Sequence, residues 1–257
     1  MAALFFIDVL KKQHSFVHGT SPRCHVKNGV RKPLFCSDKG DEKLFLEDQI
    51  VFLHSLKIVT KVFFRVTQVH GNHVYVLKDS SIPVSEVGLC EADAIITHIP
   101  DCPIVVLTAD CVPIIIYDPI KHVVGIVHAG RLGTQKRIFT NTVEALSREY
   151  GSKPKNLIVG MGPAIRGCCY ELDEPCALPF IKKSPFSSEF INKIEGNKFF
   201  VDLPKVNRFE GYEAGILMKN IYTDGPCTSC ENDRWYSYRR EGKTGRLITL
   251  AMLQSRE

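Results

Sequence analysis

Short apolar runs, separated by polar stretches carrying glycine or proline, divide the chain into predicted elements. ALFFIDVL at 3–10 is nearly continuous in apolar side chains and predicts a strand, with SFVHG at 15–19 a second short extended piece. SPRCHVKNGVRKP at 21–33 is polar and basic and predicts a loop. Between 41 and 56, Leu44, Leu46, Ile50, Phe52, Leu53 and Leu56 fall at helical spacing. VFFRVTQVH (62–70) and HVYVLKD (73–79) predict two strands around Gly71-Asn72, a pair that suits a tight turn.

The centre is the most apolar part. DAIITHI (93–99), PIVVLTADCVPIIIYD (103–118) and VVGIVHAG (123–130) follow one another closely, with Asp118-Pro119 and Lys121 marking a turn. Their near-continuous apolar character predicts strands buried on both faces. GTQKRIFTNTVEALSREYG (133–151) predicts a helix stopped by Gly151, and NLIVGMGPAIRG (156–167) a buried strand ending in a Gly-Pro loop. Residues 179–194 predict a mixed helical region broken by proline, and 205–216 the last helix. WYSYRR (235–240) and RLITLAML (246–253) predict a closing hairpin. The sum is an α/β (α+β) sandwich on a mixed central β-sheet, with residues 1–257 as a single domain.

Composition narrows the class. Of 257 residues, 44% are hydrophobic and 24% charged, ordinary values for a soluble globular protein. No apolar run approaches the ~20 residues needed to cross a bilayer. The apolar start has no basic stretch before it, unlike a secretory signal. Cytoplasmic placement, reduced thiols and no membrane partner are therefore expected. A net charge of +5 over this length is too mild for a nucleic-acid partner, but suits a small anionic substrate such as phosphate.

Three phrases carry candidate chemistry: Gln68-Val69-His70-Gly71, Thr108-Ala109-Asp110-Cys111-Val112-Pro113 and Val127-His128-Ala129-Gly130. Two imidazoles and a thiolate form a catalytic zinc set with one position left open. Read singly, each histidine is equally well explained as a packed core imidazole, and Cys111 as a packed thiol.

In order along the chain, QVHG, ADAIIT, TADCVPIIIYD, VHAG, VGMGPAIRGCCYEL, CTSC and YSYRR…TGRLITL resemble the YfiH/YlmD family, which includes the mammalian laccase domain-containing (FAMIN) proteins. The similarity runs from about His18 to the C-terminus. It implies a YfiH-like α/β sandwich in which His70, Cys111 and His128 bind one metal, usually zinc, at the substrate pocket. It also implies phosphorolysis of purine nucleosides (inosine, adenosine, guanosine, methylthioadenosine) and adenosine deamination. An older label for the family, polyphenol oxidase, implies copper. After His-Ala-Gly the family usually has Trp, then Arg or Lys, then Gly; here Arg131, Leu132 and Gly133 follow.

On this reading Cys111, His70 and Asp110 are the catalytic candidates. Asp110 would either move a proton or fix a strand end. Arg23, Arg131, Arg239 and Arg240 are the candidates for holding substrate, because guanidinium pairs phosphate bidentately. A thiolate at Cys111 activated by imidazole would instead suit an amide hydrolase of the peptidoglycan-precursor editing type. A copper-dependent polyphenol oxidase is disfavoured by nine scattered histidines with no His-x-His pair. A degenerate binding module is the non-enzymatic alternative. Among the ten cysteines, Cys227-Thr228-Ser229-Cys230 has half-zinc-site spacing but no second Cys-x-x-Cys, so it and Cys168-Cys169 are expected to be structural. His73 is a further ligand candidate, and Trp235 and Tyr238 are expected in the core.

Overall fold

The centre of the molecule is built from the Val- and Ile-rich runs, as seen in a computed structural model that describes residues 3–27, 30–35, 42–60 and 62–255. The first elements are α1 (Asp8–Lys11), β1 (Phe16–Thr20), β2 (Cys24–Lys27), β3 (Val30–Pro33), α2 (Glu42–Ser55), β4 (Val74–Leu77) and α3 (Val84–Leu89). The middle comprises β5 (Ala94–Thr97), β6 (Ile104–Thr108), β7 (Val112–Asp118), β8 (Val123–Ala129), α4 (Arg131–Gln135), α5 (Ile138–Tyr150) and β9 (Ile158–Met161). Then come β10 (Glu171–Asp173), α6 (Glu174–Lys183), β11 (Ile191–Ile194), β12 (Lys198–Val201), α7 (Leu203–Glu213), β13 (Ile221–Tyr222), α8 (Tyr238–Glu241) and β14 (Leu247–Leu253).

Six strands form a mixed sheet in the order β13-β9-β7-β8-β5-β4, with parallel pairs at both edges and antiparallel pairs between. Every residue of β5, β7 and β8 is buried. Side-chain alternation along these strands splits the core in two. Ile96, Ile114, Ile116 and Val127 face a helical layer with Ile138, Phe139 and Val143 of α5 and Leu203 and Val206 of α7. Ile95, Ile115, Tyr117, Val124 and Ile126 face a second sheet through Ile104, Val106, Ala251 and Leu253. That second sheet is β1-β14-β6, antiparallel throughout. Its far face, with Val105, Ile248, Leu250 and Met252, packs on Phe52 and Leu53 of α2 and on Leu56 just after it. Helices, mixed sheet, second sheet and α2 thus make the expected α/β sandwich, and each fully buried Ile or Val stabilises it by about 1.5–3 kcal/mol. Among the described residues no helix is long and apolar enough to cross a membrane.

Several elements depart from the sequence expectation for identifiable reasons. In 3–10, only Phe5 bridges Thr20, and Asp8–Lys11 is helical. Ile7 and Leu10, three residues apart, turn one face into the core against Gly160, where a Cβ would lie 2.7 Å from Ile7. The 21–33 loop is a hairpin, β2-β3, that pairs with no other described strand, so no apolar face marks it; Asn28 and Gly29 of that stretch, Cys36 and Asp41 lie outside the described residues. Residues 62–70 make isolated bridges from Phe64 to Ile104 and Thr67 to Glu91, and β4 runs parallel to β5 instead of folding back on them.

The 103–118 run is broken at Asp110 (φ 87°), which sends β6 and β7 into different sheets. The 133–151 helix is likewise two, α4 and α5, divided at Arg137 (φ 64°), while Gly151 (φ 66°) ends α5 as expected. The closing hairpin is α8 followed by a single strand, β14, which inserts between β1 and β6; α8 therefore follows α7, the expected last helix.

His18 in β1 is 3% exposed, and the Ile7 N–H donates to its Nε2 at 2.8 Å. Burial is the main cause holding this imidazole down to about 4, so it is neutral when folded. Unfolded, it takes up a proton near 6.5. The stabilisation is complete above that value and is lost as pH falls from 6.5 toward 4. Between pH 7 and pH 4, urea unfolding of the wild type is expected to lose about 3 kcal/mol more than that of His18→Gln. Parallel losses in the two proteins would refute this.

Candidate metal centre

Antiparallel pairing of β7 with β8 closes the 17-residue gap between Cys111 and His128. Pro113 pairs with His128 and Val112 with Ala129, so Cys111 comes one step further, opposite Gly130. His70 arrives from the segment before β4 and is held at φ 55°, the left-handed region. Cys111 Sγ lies 3.8 Å from His70 Nε2, and the two imidazoles meet edge to face with centroids 4.7 Å apart. One donor atom from each of His70, Cys111 and His128 lies within 4.8 Å of the other two.

The donor set fits a metal. Zn–S near 2.3 Å and Zn–N near 2.0 Å at a tetrahedral angle put sulfur and nitrogen about 3.6 Å apart, close to the spacing here. Gly130 leaves the room, since a Cβ there would lie 2.8 Å from His70 Cδ2 and 2.9 Å from Cys111 Sγ. Its backbone (φ −76°, ψ 176°) is open to any residue, so space alone requires glycine. His70 is exposed, Cys111 half-buried and His128 buried, so the centre faces solvent on the His70 side.

One residue organises all of this, and it was not among the predicted site residues. Asp93, fully buried at the head of β5, accepts from the backbone N–H of His70 at 3.0 Å, Gly71 at 2.6 Å and Val69 at 3.3 Å. Its Oδ1 also pairs with His128 Nδ1 at 2.7 Å. The Nδ1 proton is thus directed at Asp93 and Nε2 is turned to the centre, where a metal would displace the proton it carries. Burial pushes the Asp93 carboxyl up, but the His128 pairing and these N–H donors outweigh it and hold it below the usual range. The signal in the sequence was a lone Asp at the start of the otherwise apolar ADAIIT run.

Burial likewise pushes the Cys111 thiol up, but His128 and His70 outweigh it and bring it down to about 6. His128 moves the other way, up to about 9, because the Cys111 charge and Asp93 overcome its burial. Cys111 is therefore a thiolate at neutral pH, the form that ligates metal or attacks carbon.

The remaining expected residues separate into two sets. Asp110 has both oxygens engaged, accepting from Thr228 Oγ1 at 2.6 Å and the Arg239 N–H at 2.6 Å. Its geometry is that of a clamp between the turn before β7 and α8. Arg23 pairs with Glu241 at 3.0 Å and donates to the Asn232 carbonyl at 2.7 Å. Arg240 donates to the carbonyls of Thr228, Ser229 and Trp235. These two guanidiniums tie loops together. Arg131 begins α4 directly after Gly130, and Arg239 lies 5.0 Å over the Tyr170 ring. Burial and the Cys111 charge push the Tyr170 phenol up to about 12, against the pull of Arg131 and Arg239, which places all four side chains in one electrostatic neighbourhood. Tyr170 had no distinguishing signal beyond its place after Cys168-Cys169. His73 faces solvent with Nδ1 on the Glu91 carbonyl at 2.9 Å. Trp235 is fully buried and Tyr238 exposed.

The profile of the family described as multi-copper polyphenol oxidoreductase laccase matches residues 36–254. A Bacillus subtilis (strain 168) relative named purine nucleoside phosphorylase YlmD is 34% identical over 63% of this chain and 59% of its own length. A Deinococcus radiodurans purine nucleoside phosphorylase is 33% identical over 90% of this chain and 87% of its own. Mouse purine nucleoside phosphorylase LACC1 is 29% identical over 89% of this chain and 53% of its own. The chain thus spans a little over half the length of the Bacillus and mouse relatives. The crystal structure of Bacillus licheniformis hypothetical protein YfiH superposes with a TM-score of 0.87 at 24% identity, covering 99% of this chain and 97% of that one.

Asp93→Asn is expected to weaken zinc binding 10- to 100-fold by removing the anion that orients His128. Gly130→Ala is expected to weaken it by about tenfold or more, since its methyl group overpacks the space beside both ligands. Competition against a chromophoric chelator measures both, and affinity unchanged in either variant would remove that residue from the account.

Proposed function

The chain belongs to the multi-copper polyphenol oxidoreductase laccase family, and on that premise we propose that it is a zinc-dependent purine nucleoside phosphorylase with adenosine deaminase activity at the same centre. The substrates are inosine, adenosine, guanosine or methylthioadenosine, with phosphate. The observation that carries this reading is the His70–Cys111–His128 donor set with Arg131, Arg239 and Tyr170 beside it. The names of the Bacillus, Deinococcus and mouse relatives support the same reaction class.

Phosphorolysis breaks the C1′–N9 bond of the nucleoside and forms C1′–O to phosphate. The bonding electron pair leaves on the purine, which must be protonated. Two cations at Arg131 and Arg239 suit the phosphate, whose charge a guanidinium meets with paired donors. The Tyr170 phenol keeps its proton at neutral pH and serves as a hydrogen-bond donor. Asp110 acts indirectly, holding the Arg239 backbone against the turn that bears Cys111. Zinc, when bound, supplies a Lewis acid with one coordination position left open by the three side chains, which suits deamination at purine C6. His70, exposed, and His128, locked by Asp93, set which side of that position faces solvent.

The low thiol pKa of Cys111, about 6, also favours a second reading, a nucleophilic thiolate in an amide hydrolase. Metal dependence separates the two, because a nucleophile works without metal. Polyphenol oxidation by several coppers needs further histidine-rich sites, and among the described residues the other donor group is all cysteine.

Purified protein with inosine and phosphate is expected to release hypoxanthine and ribose 1-phosphate, read by chromatography. Cys111→Ala is expected to lower kcat/KM by at least about 100-fold, and Arg131→Ala to raise the phosphate KM by about tenfold, the size of one charge-assisted hydrogen bond. No base release by zinc-loaded wild type from any of the four nucleosides would overturn the proposal.

A further inference from the structure

Four cysteines that the metal centre does not use converge on a second cluster. Cys168 and Cys169 come from the loop after Gly167, and Cys227 and Cys230 from the turn that leads toward α8. Cys230 Sγ lies 3.5 Å from Cys168 Sγ and 3.4 Å from Cys169 Sγ, and all four sulfurs fall within 4.8 Å of one another. No pair is bonded as a disulfide. Cys230 is nearly equidistant from two partners, so no single pair is singled out for oxidation.

We propose that Cys168, Cys169, Cys227 and Cys230 form a second, structural zinc site. Four thiolates around zinc at about 2.3 Å lie about 3.8 Å apart, within a few tenths of an ångström of the two Cys230 contacts, and the other sulfurs need shift by no more than about 1 Å. Four protein ligands leave no open position, the mark of a structural site. Binding forms four Zn–S bonds and releases the thiol protons to solvent.

The surroundings are those of a thiolate ligand. The backbone N–H groups of Arg166, Ser229 and Cys230 donate to Cys227, which outweighs its burial and holds the thiol below its usual value. Such donors orient ligands and stabilise their charge. Its neighbours go the other way. Burial and the adjoining thiols push Cys168 up, and the Cys169 contact first of all pushes Cys230 up to about 11.

The site would staple the two loops that frame the catalytic centre. Ala164 bridges Cys227, and Thr228 N–H donates to the Ala164 carbonyl at 3.0 Å. Thr228, inside the Cys-x-x-Cys turn, reaches Asp110 beside Cys111, and Tyr170 follows Cys169 directly. Zinc here would fix Tyr170 and Arg239 relative to Cys111, and the inference stands whatever reaction the first centre performs.

Metal analysis of the reduced, full-length protein tests it. Wild type is expected to hold two zinc ions per chain, Cys111→Ala one, and Cys227→Ser/Cys230→Ser one. Alkylation of the native wild type followed by peptide mass mapping is expected to show the four cysteines protected, and exposed once a chelator is added. This second readout needs no variant to fold. One zinc or fewer in the wild type with free alkylation of all four, or an intact mass revealing a disulfide among them before reduction, would overturn the proposal.

Discussion

A single buried carboxylate, Asp93, is the constraint on which the centre depends. Fully excluded from solvent, it must find partners for every lone pair or destabilise the fold, since breaking a buried ion pair costs about 3–5 kcal/mol. It takes them from four groups at once: the backbone N–H of Val69, His70 and Gly71, and the ring of His128. Those bonds compensate the left-handed backbone of His70 and set the tautomer of His128. Its own main chain adds to the lock, with His128 N–H on the Asp93 carbonyl at 2.7 Å. Two of the three donors are therefore positioned by one side chain, and the third is delivered by strand register opposite Gly130.

The layered sandwich explains why the centre sits where it does. β7 and β8 are buried on both faces and carry no polar side chain that reaches solvent through either layer. The candidate donors lie at the end of this pair, where Cys111 precedes β7 and His128 nearly ends β8 before α4 begins. The same end receives Tyr170 from the loop before β10 and Arg239 from α8, and Asp110 joins α8 to Cys111 through Thr228 and the Arg239 backbone. A rigid core and a loop-built rim meet there.

How much of this was legible in the sequence follows from what each signal measures. Continuous apolar runs report burial on two faces, so DAIITHI and VVGIVHAG stood out. Hydropathy is blind to backbone reversals, and the break at Asp110 and the split at Arg137 were lost inside longer runs. The β2-β3 hairpin pairs with no other described strand and left no apolar trace. His70, Cys111 and His128 were visible as candidates because side chains able to bind metal are chemically distinctive and these sit in recognisable phrases. Asp93 was not, since a carboxylate beside apolar residues looks the same whether it caps a turn or orients a ligand. The arginines show the converse. Their charge suggested phosphate for all of them, whereas the fold engages Arg23 and Arg240 in loop contacts and sets Arg131 and Arg239 near Tyr170, with the Arg239 guanidinium also donating to the Glu171 carbonyl at 2.8 Å. Cys168-Cys169 and the Cys-x-x-Cys turn, about sixty residues apart, gained meaning only when folding joined them.

The most direct measurement is an anomalous difference map from crystals of the protein at the zinc absorption edge. The account predicts a peak about 2.3 Å from Cys111 Sγ and about 2.0 Å from Nε2 of both His70 and His128. A map without a peak between these three side chains, or with His128 turned away from Asp93, would contradict it.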